Sequence, residues 1–271
     1  MSQKLSDIVM IFSGNDARDV LQGQTTRNFK NAATGSALDG AFCDLKGRVI
    51  ADFCAVITRD DQILMRTNHD LAHYLQGHLK KYLMFSKTEL LLTDWSVYAC
   101  KADSTVAANQ SMDEQVVVSR DPNFIELWLE AGEPPEGTVN AAAYGADRLI
   151  RGEARLSSEL IGKYLPQDLN YDLNGRIDFD KGCYTGQEII ARLHYRGEPK
   201  RRLRLFSLPP TVTPQAGDKI VNDADKPVGS VVECVSHGDE WLCLCESVLD
   251  IELQTLRIRG EIAHPSPLQR F

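Results

Sequence analysis

Residues 181–188 read KGCYTGQE, and the chain runs on as IIARLHYRG to residue 197. A cysteine lies between a glycine and a tyrosine, just ahead of a run with helical character. Cys183 is either an ordinary small hydrophobe at a turn or a thiol that the turn holds in the open. Thr185 stands three residues before Glu188, and this T-x-x-E pattern predicts a capping box with a helix starting at Thr185. Glu188 and Arg192 are then i, i+4 partners. Cys183 precedes the positive end of that helix, where free amides and the helix dipole favour a thiolate. Lys181 and the basic residues beyond Arg192 act in the same direction. Gly182 and Gly186 allow backbone turns closed to other residues. His194 lies about two and a half turns along the helix, so a hydrolytic triad with Cys183 is not expected.

Downstream, RLHYRGEPKRRLR carries Arg192, Arg196, Lys200, Arg201, Arg202 and Arg204 against the single Glu198. Guanidinium groups suit carboxylates and phosphates, so the run reads as an anion site. A solvated strand face beside a domain boundary explains it equally well.

The chain's 271 residues fit one large domain or two to three smaller ones. Its 38 acidic and 30 basic residues give a net charge of −8, which argues against an indiscriminate nucleic-acid binder. No secretion signal and no membrane-length apolar run is read, so a cytoplasmic protein is expected. The seven cysteines include no C-x-x-C, which removes the usual zinc-ribbon spacing and leaves reduced thiols as the expectation. Cys243 and Cys245 alternate with Leu242 and Leu244, as residues sharing one buried strand face do. His69 and His73 have metal-like i, i+4 spacing, but nothing completes a site, and a wet helix face is the expectation.

Along the chain, LSDIVMIF reads as a strand followed by a helix capped by Ser13 or Asn15. AFCDLKGRVIADFCAVITR reads as a hairpin turning at Lys46-Gly47, and DDQILMRT as a further strand. Leu71, Leu75, Leu79 and Leu83 have helical spacing. KTELLLTDWSVYACKA reads as a strand pair, and residues 131–146 as a loop followed by a short helix. After Leu208-Pro209-Pro210, short apolar runs alternate with turns, the texture of a small β-barrel. These signals predict an α+β core with largely antiparallel sheets, a boundary near residue 205 and a barrel over 205–271.

KGCYTGQE, with Ala191-Arg192 and Arg196-Gly197, resembles the signature of the YgfZ family, folate-binding proteins related to the T-protein (aminomethyltransferase) of the glycine cleavage system. LQGQTTRN at 21–28, LKGRVIADF at 45–53, YLPQDLNYD at 164–172 and GDKI with PVGSV at 217–231 match that family in order. The resemblance implies a T-protein-like ring of three lobes around a hole that receives tetrahydrofolate or a derivative. Residues 1–204 would form two lobes, 1–50 with 145–204 and 51–144, and 205–271 the barrel. It also implies an accessory role in iron–sulfur cluster assembly or repair, with iron–sulfur or tRNA-modifying enzymes as partners. No sequence-specific nucleic-acid contact, membrane contact or metal site of its own is expected. Cys183 would be the functional cysteine, with Lys181, Gly182, Tyr184, Gln187, Glu188, Arg192, Arg196 and Arg202 around the folate. Departures from T-protein stand at Ala51, where a paired carboxylate is missing, and at Ile150, where an acid grips the pterin; Glu153 reaches that place only if the chain shifts. These departures weigh against the alternative of one-carbon transfer. A non-catalytic scaffold for a tRNA-modifying enzyme is the other alternative.

Overall fold

The computed structural model describes residues 4–102, 111–112, 115–119, 123–131 and 136–269. The chain forms two compact units. The first comprises Met1–Cys43, Ala51–Tyr144 and Arg176–Thr185, and the second Asp44–Ile50, Gly145–Gly175 and Gly186–Phe271.

In the first unit the strands are β1 (Asp7–Ser13), β2 (Ala37–Cys43), β3 (Val49–Arg59), β4 (Gln62–Asn68) and β5 (Glu89–Leu92). Among the described residues they form a five-stranded sheet in the order β2-β3-β4-β1-β5. Helix α1 (Ala17–Gln24) follows β1, and α2 (His69–Leu83) follows β4. A second, four-stranded sheet has the order β6-β9-β8-β7, from β6 (Ser96–Lys101), β7 (Ser111–Met112), β8 (Gln115–Ser119) and β9 (Phe124–Leu129).

Period-two alternation decides which faces meet. Cys54 and Val56, Val97 and Ala99, and Val116 and Val118 join Val9, Leu64 and Trp128 in one buried cluster shared by the two sheets. A buried, hydrogen-bonded ion pair joins the two sheets of this unit. Arg66 of β4 grips Glu126 of β9 at 3.1 and 3.0 Å, while Trp128 Nε1 and Tyr144 Oη donate to the same carboxylate. Arg66 is 3% exposed and Glu126 fully buried, so each charge depends on the other and on the surrounding donors.

Helix α2 presents Leu71, Leu75 and Leu79 to the interior as their spacing predicts, with Leu83 only half-buried. Asn68 caps it by accepting from the Asp70 amide at 2.9 Å. His69 and His73 sit on its exposed side, and no metal-binding group of His, Cys, Asp and Glu occurs among the described residues. The hairpin at Lys46-Gly47 forms as expected between β2 and β3. Asp44 shapes it by accepting from the Lys46 and Arg48 amides, and Gly47 takes φ +71°. Two local expectations fail. The α1 N-cap is Asp16, whose carboxylate accepts from the Lys87 amide instead of capping the helix. The segment 87–102 supplies two strands that do not pair, since β5 joins the first sheet and β6 the second.

Helix α3 (Ala141–Ile150) forms where a short helix is expected; residues 132–135 of the loop before it lie outside the described residues. The second unit then holds α4 (Gln187–Arg196), β10 (Arg201–Leu208), β11 (Lys219–Val221), β12 (Pro227–His237), β13 (Glu240–Val248), β14 (Arg257–Ile258), β15 (Glu261–Ile262) and β16 (His264–Ser266). Its seven-stranded sheet runs β15-β14-β11-β12-β13-β10-β16. The two edge strands, β15 and β16, are separated in sequence by Ala263 alone, so the sheet must curl until its edges meet. This is the expected barrel. Cys243 and Cys245 both point into its core with Phe206, Ile220, Val231 and Leu256. Residue 205 lies inside β10, and the second unit holds residues 44–50, 145–175 and all of α4 together with the seven-stranded sheet.

Candidate functional site

The site begins at the end of α1. A helix leaves its last carbonyls without intrahelical partners, and α1 has no basic residue in its last turn. The chain continues as Thr25-Thr26-Arg27, and the Thr26 amide bonds to Ala41 O, away from the helix. Gln22 O is left without its helical donor. The loop 176–185 supplies what is missing. The Thr185 amide donates to Gly23 O at 3.0 Å, and Lys181 Nζ donates to Gln22 O at 2.7 Å, Thr25 O at 2.6 Å and Arg27 O at 2.6 Å. An ammonium has three donors, and all three are used.

Further bonds fasten the same loop. Thr26 Oγ1 donates to Arg176 O, the Asp178 amide donates to Thr26 O, and the Asp178 carboxylate accepts from the Asn28 amide and faces Arg27 Nε at 3.1 Å. Lys181 is only 6% exposed. Burial pushes its pKa down to about 7, with Asp178 opposing and Arg27 adding to the shift. Its Nζ also lies 4.8 Å from the centre of the Tyr184 ring. Tyr184 is buried, and burial drives its phenol pKa up.

The anchored loop then exposes Gly182 and Cys183. Both line a cavity of about 410 Å³ with Asp19, Lys30, Asn31 and Asp180. Cys183 is the exposed member of the seven free thiols: Cys43, Cys54, Cys100, Cys243 and Cys245 are buried and Cys234 is half-buried. Of the two readings left open by the sequence, the thiol held in the open is the one observed.

The expected capping box is absent. Thr185 turns its hydroxyl to Gln24 Oε1 at 3.2 Å and Gly23 O, and α4 begins two residues later with Gly186 as N-cap. Gly186 has φ +83°, and a Cβ there would stand 2.5 Å from Asp44 O, so a glycine is required. Glu188 and Arg192 are both exposed and make no ion pair with each other, which corrects the i, i+4 expectation. Gln187 is half-buried, and Arg196 is exposed.

The basic run separates into two kinds of residue. Arg202 forms a two-pronged pair with Asp172 and donates to Gln167 O. Arg201 pairs with Glu246, and Arg204 donates to Val248 O and Leu249 O. Arg192, Arg196 and Lys200 remain exposed. Lys181 and Arg202, expected around a ligand, are therefore committed to protein groups. At the positions that depart from T-protein, Ala51 is buried, Asp52 is buried 3.9 Å from Arg176, and Glu153 meets Arg151 at 2.9 Å. The residues that sequence reasoning did not single out are Gln22, Asp19, Lys30, Asn31 and Asp180. LQGQTTRN marks the first of these, but nothing local reveals that its carbonyls await Lys181.

No family model matches the chain. It is 30% identical to the tRNA-modifying protein YgfZ of Klebsiella pneumoniae over 275 residues, covering 89% of this chain and 82% of that one. The tRNA-modifying protein YgfZ of Aliivibrio fischeri is also 30% identical, over 276 residues, with 93% and 86% covered. An uncharacterized protein of Haemophilus influenzae is 27% identical over 255 residues, 92% of this chain and 90% of its own. Among solved structures, the glycine cleavage system aminomethyltransferase T of Bartonella henselae superposes with a TM-score of 0.70 at 14% identity, covering 97% of this chain and 84% of that one. That likeness establishes the fold.

Proposed function

The chain belongs to the YgfZ family, and from that premise we propose that it is a folate-binding accessory protein serving iron–sulfur enzymes, those that methylthiolate transfer RNA among them, with Cys183 as its working thiol. The observation that carries this reading is the presentation of Cys183: it is exposed, it borders a polar cavity, and its loop is pinned by the fully occupied ammonium of Lys181. A cysteine serving only as packing needs no such support, and five of the other six are buried.

The donor set of the cavity suits a folate. Asp180 offers a carboxylate to the amino edge of a pterin, while Asp19 and Lys30, paired with each other at 2.8 Å, serve a ligand only by parting. A bound reduced folate supplies a one-carbon carrier. The chain's own part is to hold the heterocycle by its polar edge, to keep the thiol at the rim, and to fix the loop through Lys181 and Thr185. One-carbon transfer of the T-protein kind is disfavoured, because Ala51 offers no carboxylate, Asp52 is drawn to Arg176, and Ile150 is apolar.

The test is a Cys183→Ala chain in cells depleted of the native protein. A folded variant that fails to restore methylthiolated transfer RNA supports the reading, and full restoration removes the thiol from it. Calorimetric titration with tetrahydrofolate tests the ligand separately. Heat that is lost on Asp180→Asn supports the cavity, and the absence of heat favours a scaffold without folate.

A further inference from the structure

Cys234 and Cys243 stand directly opposite each other in the barrel sheet, one on β12 and the other on β13. The hairpin between these strands turns on Gly238-Asp239 alone, so His237 and Glu240 close it as a hydrogen-bonded pair. Bonded and non-bonded pairs alternate along an antiparallel ladder, which makes Val235–Leu242 a bonded pair and Cys234–Cys243 a non-bonded one. In a non-bonded pair the Cα atoms lie about 4.5 Å apart and the side chains approach most closely. That separation falls inside the range of about 4.4–6.8 Å over which a disulfide closes without moving the backbone. Both side chains face the core of the barrel.

The two thiols have different surroundings. Cys243 is fully buried, whereas Cys234 is half-buried at the margin of the same cluster. The Cys243 thiol donates to Cys234 Sγ, and this bond lowers the Cys234 pKa against burial, Glu233 and Asp218. The same bond, with burial, pushes the Cys243 pKa up. Cys234 is therefore the sulfur that ionises first and that a small molecule reaches, while Cys243 waits behind it with a proton to give. Cys234 Sγ also donates to Pro214 O at 3.1 Å, which ties the loop ahead of β11 to β12. Cys245 faces the same core two residues further on, but it stands opposite Val231.

We propose that Cys234 and Cys243 form a reversible oxidation site for hydroperoxides, closing to a disulfide between β12 and β13. The Cys234 thiolate attacks one peroxide oxygen and the O–O bond breaks, leaving Cys234 as a sulfenic acid. The departing hydroxide takes up the proton that Cys234 had shed and becomes water. The Cys243 sulfur then attacks Cys234 Sγ. The S–S bond forms, the S–O bond breaks, and hydroxide leaves with the Cys243 proton as a second water. Two electrons have passed from the sulfurs to the peroxide, and a small thiol returns them by exchange. Oxidation removes the hydrogen that Cys234 shares with Pro214 O, so the oxidised barrel gives up that tie and gains a covalent one across the hairpin. None of these steps involves Cys183.

Hydrogen peroxide added to the full-length Cys183→Ser chain tests the pair without the exposed thiol. After alkylation in denaturant, cleavage following glutamate separates residues 234–240 from residues 241–246. Mass spectrometry is expected to find these two fragments joined and two hydrogens lighter than their sum. The free thiols counted in the unfolded chain are expected to fall by two, and dithiothreitol to restore them. Cys245→Ser is expected to bridge as before, and Cys234→Ser, folded by circular dichroism, to lose the joined fragments altogether. Fragments that stay separate, a bridge that runs through Cys245, or oxidation of Cys234 that dithiothreitol does not reverse overturns the proposal. With Cys183 absent from the tested chain, each of these outcomes is independent of the role assigned to that thiol.

Discussion

Replacing Lys181 by methionine keeps an unbranched side chain of similar length and removes the ammonium that bonds Gln22 O, Thr25 O and Arg27 O. Each buried acceptor stripped of its donor costs about 1–3 kcal/mol. The adjoining cavity admits water to some of them, so the lower figure applies and the loss is about 3 kcal/mol. For a protein of this size that lowers Tm by roughly 6–12 °C. Acidity adds a second signature. The folded Lys181 has its pKa pushed down to about 7, whereas an unfolded lysine holds its proton to about pH 10.4. Between these values the unfolded chain binds more protons than the folded one, so stability rises with pH across that window. The methionine chain lacks this rise, and its deficit should widen from pH 7 towards pH 10. Urea titrations at several pH values read both effects, and hydrogen exchange should report earlier opening at residues 23–26. A deficit under about 0.5 kcal/mol would refute the idea that the Lys181 amino group holds the helix end and the loop together, and one that narrows with pH would refute its lowered pKa.

Under native conditions a thiol reagent should modify about one equivalent rapidly, and Cys183→Ser should abolish that phase, because the other thiols are buried or half-buried. Arg66→Met should destabilise the chain by about 3–5 kcal/mol in chemical denaturation, since it strands the buried Glu126 carboxylate. Gly186→Ala should cost at least about 1–3 kcal/mol through its positive φ, and more through the contact with Asp44 O; a neutral result would mean that the start of α4 relaxes easily. Alkylation of Cys183 should slow when tetrahydrofolate is present, and an unchanged rate would place the folate elsewhere.

Features written in local periodicity were legible. The leucines of α2, the Lys46-Gly47 turn and the paired alternation of Cys243 and Cys245 each depend on neighbours a few residues away. The short apolar runs and turns after Pro210 indicated the barrel, and the resemblance carried the rest of the fold. Features that depend on distant partners were not legible. Thr185 has the sequence of a capping residue, yet its hydroxyl finds Gln24, 161 residues earlier. Arg202 belongs to a basic run, yet Asp172, 30 residues away, takes both prongs of its guanidinium. The strands at 89–92 and 96–101 look like partners because they adjoin, but edge positions in two different sheets claim them. At the site, the open thiol was one of the two readings the sequence left, and the role of Lys181 was in neither. A lysine beside a reactive cysteine suggests a ligand contact, and only the stranded carbonyls at the end of α1 reveal it as a brace.

Ala263 joins the two margins of the barrel sheet with one residue between them. Removing residues 261–266 would therefore open two seams at once, one along β14 and the other along β10. The short stretch acts as a clasp, and a protease that cuts there should turn a closed wall into a sheet with two adhesive borders. Fragments ending just before Glu261 are accordingly expected to precipitate, while an intact clasp keeps the same strands in solution.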